Sequence, residues 1–344
     1  MRRRSILAFV AIVAALVVAA PAAGAKVNLA GGSTTLKLAP ATAEALAENG
    51  VSVAPIGPAK AKKGGIAFPI TGGAINPASA AGRIDHSGGL ALRAGGVRVA
   101  LENFRVHVRA KRAILTAAVG EDRLTVLSLS LAKAKVVRKG LATTVKGVRA
   151  TLSGQAAKAM NAAFSTDLFA KGIPIGTVKV KAKPAQVEFA GGATTLALDA
   201  GAAAALESLG IAAAPVDPAT AAQGGLAFPI TGGKANAKSF EGSIRHSGGI
   251  RLSRGETVVD LTSFTINIDS DPDLSALVGG QRVSILNLDL SQLSASVTGR
   301  QITLGGVKAS LSAAAAGALN GAFSTDAFKE GLVLGTATVV ANAR

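Results

Sequence analysis

The chain has 344 residues, a length that suits two domains of ordinary size better than one small one. It has no cysteine, which excludes disulfides, thiolate metal sites and a thiol nucleophile; with no tyrosine or tryptophan either, eleven phenylalanines and the aliphatic residues must build the core. The formal charge of +17 is unevenly spread, since residues 26–185 hold 24 Lys and Arg against 7 Asp and Glu while residues 186–344 hold 10 against 13.

Residues 1–25 read as a secretory signal peptide. Arg2, Arg3 and Arg4 form a positive start, Ile6 to Ala20 an apolar run, and Ala23-Gly24-Ala25 a small-residue cleavage site. The alternative is an uncleaved N-terminal anchor, although the apolar run falls short of the roughly 20 residues a spanning helix needs. A secreted or cell-envelope, extracytoplasmic location is expected. For an exported chain, anionic envelope polymer or lipid is the natural partner of a basic first half. Nucleic acid is not expected, because the bases are not interleaved with stacking aromatics.

The remainder contains one unit twice. GGIAFPITGGAINPASAAGRIDHSGGLAL at Gly64 to Leu92 returns as GGLAFPITGGKANAKSFEGSIRHSGGIRL at Gly224 to Leu252, with Phe68 and Phe228, and His86 and His246, 160 positions apart. The expected domains are repeat 1 at 26–185 and repeat 2 at 186–344. Each repeat opens with an apolar, threonine-rich run, VNLAGGSTTLKL at Val27 and VEFAGGATTLAL at Val187, whose alternation predicts a strand. A helix-sized piece follows at Pro40 to Asn49 and Ala200 to Leu209, stopped by Gly50 and Gly210.

Ile66 to Ile70 and Leu226 to Ile230 read as short strands ending at Thr-Gly-Gly turns, and Gly82 to Asp85 leads into the His-Ser-Gly-Gly turn. Phe104 to Val108 and Phe264 to Ile268 alternate as half-buried strands do, and are expected to pair with Arg123 to Leu131 and Arg282 to Leu290. Each repeat closes with an alanine-rich helix, capped by Ser153 or Ser312 and carrying Asn161 or Asn320 where it can bond to a turn. A second short helical turn, ended by Gly172 or Gly331, is expected before the last strand. The fold class is therefore mainly β, a β-sandwich or barrel-like unit with two short α-helices, present as two tandem homologous domains.

His86 and His246 are the candidate site residues, being the only chemically versatile pair present in both copies. Each precedes Ser-Gly-Gly, so an exposed turn could present its imidazole to a metal, a haem or a carboxylate; the structural alternative is that it caps the turn or bonds within the sheet. Asp85, His86 and Ser87 do not make a catalytic triad, because neighbours on a strand point apart and Arg245 replaces the aspartate in the second copy. Asp269, Asp271 and Asp273 fail the calcium-loop pattern, with Leu274 and Gly280 where Gly and Glu are needed. The glycine pairs match no nucleotide loop. No enzymatic activity is expected.

The order FPITGG, HSGG, an alternating strand pair, then LSGQAAKAMNAAFSTDLFAKG or LSAAAAGALNGAFSTDAFKEG, and finally GTATV in the second copy, resembles the HtaA domain family of exported actinobacterial surface proteins. The resemblance covers nearly the whole of each copy. It implies a β-rich domain with small helices and, for the best-known members, haem capture at the cell surface in iron acquisition. Haem, or a haem-carrying protein, is accordingly the implied cofactor or partner. Family members use a tyrosine as axial ligand supported by a histidine; His86 and His246 can take the histidine's place, and no tyrosine is present to take the other.

Overall fold

A computed structural model describes residues 26–109 and 112–344. The expected signal peptide at residues 1–25 lies outside the described residues. In the first half the elements run β1 (Val27–Leu38), α1 (Pro40–Glu48), β2 (Ser52–Ile56), β3 (Lys60–Lys62), β4 (Gly65–Ile75), β5 (Gly82–His86), β6 (Gly89–Ala94), β7 (Val97–Arg109), β8 (Arg112–Val119), β9 (Asp122–Ser130), β10 (Lys135–Lys139), β11 (Ala142–Leu152), α2 (Gly154–Phe164) and β12 (Pro174–Pro184). The second half repeats this order as β13 (Gln186–Leu198), α3 (Ala200–Ser208), β14 (Ala212–Val216), β15 (Thr220–Ala222), β16 (Gly225–Asn236), β17 (Gly242–His246), β18 (Gly249–Arg254), β19 (Thr257–Ile268), β20 (Asp273–Val278), β21 (Gln281–Asp289), β22 (Ser294–Thr298), β23 (Gln301–Leu311), α4 (Ala313–Phe323) and β24 (Val333–Ala343).

Hydrogen bonding closes each half into a barrel. The strands follow β7-β5-β4-β1-β12-β11-β9-β8, and β8 returns to pair with β7, which leaves no open edge in an eight-membered ring. The second ring has the same order, β19-β17-β16-β13-β24-β23-β21-β20, closed by β20 on β19. Four short strands lie off each ring: in the first, β6 carries β2 along the early part of β7, β3 pairs with β4, and β10 pairs with β11.

Closure demands strong bending, and the sequence supplies it at bulges. The Thr-Gly-Gly of the FPITGG motif is one of them. It does not end a strand as expected; β4 runs through it with its register against β5 shifting between Ile70 and Gly72. Gly73 sits there at φ +103°, where a Cβ would come within 2.2 Å of the Arg83 carbonyl oxygen. A second bend falls in β7 at Asn103, whose φ is 49° and beyond which the strand changes partner from β6 to β5.

Two expectations about pairing and helix content are corrected. Phe104 to Val108 does not pair with Arg123 to Leu131, because β8 lies between them, bonded to β7 on one side and β9 on the other. Its counterpart β20 begins inside the acidic run at Asp273 and intervenes in the same way. The segments before Gly172 and Gly331 form turns and irregular chain rather than a helical turn.

The helices are held as expected. The Ser153 hydroxyl accepts from Ala156 N at 3.0 Å and donates to the Thr125 carbonyl, so it caps α2 and ties it to β9; Ser312 does the same for α4 with Ala315 and Ser284. Asn161 bonds both the N–H and the C=O of Phe169, at 2.9 and 2.8 Å, and Asn320 both groups of Phe328. These bonds fold the irregular segment over the barrel and bury Phe169 and Phe328 in the two cores. Ala185 alone separates β12 from β13: its N–H donates to the Asn28 carbonyl, and its own carbonyl accepts from Ala237.

Candidate functional site

The histidines that recur in the two copies are interior residues. His86 and His246 end β5 and β17 and are each only 5% exposed, so the turn that follows does not present them to solvent and the alternative, a bond within the sheet, is the one that holds. In the first barrel Nδ1 lies 3.1 Å from the Phe104 carbonyl and Nε2 lies 2.6 Å from the Thr34 hydroxyl. In the second the same distances are 3.2 Å to Phe264 and 2.7 Å to Thr194. A carbonyl can only accept, so Nδ1 carries the proton; Nε2 is then the acceptor, and the threonine hydroxyl donates to it. Burial pushes the His86 imidazole down to about 4 against the opposing pull of the Phe104 carbonyl and Asp85, and it pushes His246 down to about 4 against Phe264. Both rings are therefore neutral at ordinary pH and fully hydrogen-bonded, joining three strands of each ring.

The rest of the HSGG motif serves the same junction. Ser87 N donates to the Pro69 carbonyl, and the Gly88 carbonyl accepts from Asn103 N at the bend of β7. Gly88 has φ +76°, and a Cβ on it would lie 2.6 Å from Ala59 N, so only glycine fits. Phe68 and Phe104 meet edge to face at 4.9 Å beside the histidine, as do Phe228 and Phe264. Asp85 points away from His86 toward Arg83 and Arg105, with which it forms ion pairs, so no triad is assembled. His107 is only partly buried on β7, with burial and then Arg83 and Arg109 lowering its basicity. In the acidic loop, Asp269 accepts from Asp271 N and Asp273 accepts from Asn267, and no group of three or more acidic or histidine ligands gathers among the described residues.

What the sequence did not disclose is the hollow beside these junctions. The first barrel holds a cavity of about 340 Å³ that opens to solvent, bounded by ring strands, by Thr42, Ala45 and Leu46 of α1, by Met160 of α2, and by the chain from Leu168 to Ile175. Its polar side chains are Thr34, Thr42 and His86, and no charged residue lines it. The second barrel holds an open cavity of about 280 Å³, with Thr194 the one polar side chain in a wall of aliphatic and phenylalanine residues. Eight-stranded barrels are just wide enough to be filled by their own side chains or to hold one small ligand. Walls of this kind favour an apolar occupant.

Comparison with known proteins found no matching family model and no matching curated protein. Among solved structures, the chain is similar to the C-terminal domain of HtaA from Corynebacterium glutamicum, at 15% identity and a TM-score of 0.38, over 46% of this chain and 98% of that one. It is also similar to the heme binding protein HtaB from Corynebacterium glutamicum, at 12% identity and a TM-score of 0.29, over 46% of this chain and 96% of that one.

Proposed function

We propose that the chain is an exported, non-catalytic binding protein that carries an apolar ligand inside each of its two barrels. The observation that supports this most directly is the pair of uncharged cavities at equivalent places in the two copies. One hydrogen-bonding wall residue recurs in both, the threonine at 34 and 194, and it suits a ligand with a largely hydrocarbon body. The signal-like residues 1–25 and the motif resemblance to exported HtaA domains support the extracytoplasmic location.

Haem, the ligand implied by that resemblance, meets this site in two unequal ways. The apolar walls suit a porphyrin ring, but the donors as arranged do not suit iron. Nε2 of His86 is already taken by Thr34, His246 does not line the second cavity, and neither wall offers a cation to an acidic side arm. Coordination would require His86 to exchange its threonine for the metal.

Titration with an uncharged apolar fluorophore such as N-phenyl-1-naphthylamine, and separately with haemin, tests the reading. Ala45→Phe and Ala318→Phe place a ring in the first and second cavities from a half-buried and an exposed helix position. Each is expected to remove one of two fluorophore sites, weakening it at least about tenfold as the ring fills the space a ligand needs. No saturable uptake by the parent chain, or uptake unchanged in both variants, would overturn it. A Soret shift with haemin that is lost in His86→Ala identifies haem as an occupant of the first cavity.

A further inference from the structure

The outer face of the first barrel carries a field of bases that the second lacks. Along β12, Val178, Val180 and Ala182 are buried, and Lys179, Lys181 and Lys183 between them stand exposed. The register extends this row sideways. Lys37 of β1 and Arg149 of β11 both pair with Thr177, and Lys146 lies in the bulge opposite Lys179. Lys135 of β10 in turn pairs with Lys146. β1, β10, β11 and β12 contain no Asp or Glu, and none of these bases takes part in an ion pair among the described residues.

The second barrel shows that the fold does not require this charge. At the same register β24 carries Thr338, Val340 and Asn342, β13 carries Ala197, and only Lys308 keeps a positive side chain. Residues on one face of a sheet are separated by about 7 Å along a strand and about 5 Å between strands, so such neighbours repel until an external layer of anions covers them.

The form of the face favours a lipid surface as that layer. All five residues of β10 are exposed, and Val136 and Val137, at 36% and 43%, stand between Lys135 and the pair Arg138 and Lys139. Apolar side chains set among bases match a plane of phosphates with hydrocarbon beneath it. A single-stranded nucleic acid would be gripped with stacking aromatics, and strands β10, β11 and β12 have none. Lys37 stands on the outer face of the strand whose Leu36 and Leu38 line the first cavity.

We infer that this face docks the first barrel onto an anionic phospholipid bilayer. The docking stands on charge and exposure alone and does not depend on either cavity being filled. Residues 26–344 contain every strand and helix of both closed rings and are the species to use. Their co-sedimentation is compared on vesicles of phosphatidylglycerol mixed with phosphatidylcholine and on phosphatidylcholine alone. The variant Lys179→Thr, Lys181→Val, Lys183→Asn installs the residues that the second barrel holds at the same positions, which keeps the strand compatible with the fold. At about fivefold per lysine, binding to the anionic vesicles is expected to fall about a hundredfold. Equal binding of the parent chain to both vesicle types, or unchanged binding of the triple variant, overturns the inference. Val136→Ser with Val137→Ser is expected to weaken the binding that survives at raised salt; if it does not, while soluble polyphosphate competes fully, a polyanion rather than a bilayer is the occupant and the inference fails.

Discussion

Thr34 and His86 are 52 residues apart in the chain and meet at 2.6 Å inside the first barrel, the hydroxyl donating to Nε2; Thr194 and His246 repeat the contact at 2.7 Å. The pair joins β1 to the end of β5, and the Phe104 carbonyl on the other nitrogen adds β7. One imidazole thus fastens three strands by bonds that a hydrophobic residue could not make. Thr34→Val keeps the shape and strands a buried acceptor, so it is expected to cost about 1–3 kcal/mol, and Thr34→Ser less. Urea denaturation of both variants measures it, and nitrogen-15 shifts of the ring should report the Nδ1–H form in the parent chain.

The same histidines make stability depend on acidity. In the unfolded chain each takes up its proton near 6.5, whereas in the barrel it does so only near 4. Between those values the unfolded state binds more protons, so stability is full above about pH 6.5, falls as pH drops toward about 4, and changes no further on this account below it. The loss is of the order of 3 kcal/mol per histidine. Denaturant midpoints across that window should slope accordingly, and His86→Gln with His246→Gln should flatten the slope. An equally steep slope in the double variant would assign the acid sensitivity to other groups.

Gly88 and Gly95 separate two costs that glycine hides. Both have positive φ, +76° and +55°, but a Cβ at Gly88 would press on Ala59 N and the Ile56 carbonyl oxygen, whereas one at Gly95 meets open space. Gly95→Ala is expected to lose about 1 kcal/mol from backbone strain. Gly88→Ala should lose more, because the turn after Ile56 must move as well. Thermal unfolding of the two variants side by side is sufficient to rank them.

Ser153→Ala removes a helix cap and a bond to β9 together. A loss of about 1–2 kcal/mol is expected, with the same for Ser312→Ala in the second barrel. Amide exchange at the first turn of α2 should quicken in the first variant and not in the second.

Much of this architecture was legible in the residues because it is local. The duplication, the caps at Ser153 and Ser312, and the turn-binding Asn161 and Asn320 all follow from short patterns. The failures share a physical cause, which is that they depend on partners distant in sequence. Thr-Gly-Gly serves a turn and a bulge equally well, and only the opposing strand β5 makes it a bulge between Ile70 and Gly72. Strand β20 begins among aspartates that read as a solvated loop, yet Asp273 is paired on both sides. The neighbours of His86 allow both an exposed turn and a bond within the sheet; its partner Thr34, in the Thr-Thr pair that both copies carry at the same repeat spacing, decides for the second. The cavities left no trace at all, since a leucine lining a void and a leucine packed against another leave the same letter.

Ala185 has a consequence beyond topology. With its amide given to Asn28 and its carbonyl to Ala237, the connection between the rings has no slack to spend. Two copies joined by a flexible tether would melt as separate beads, whereas here the loss of either ring releases a bond that the junction needs. Lengthening the chain at this point by a few glycines would turn a coupled pair into two modules that can diffuse, tilt and fail independently.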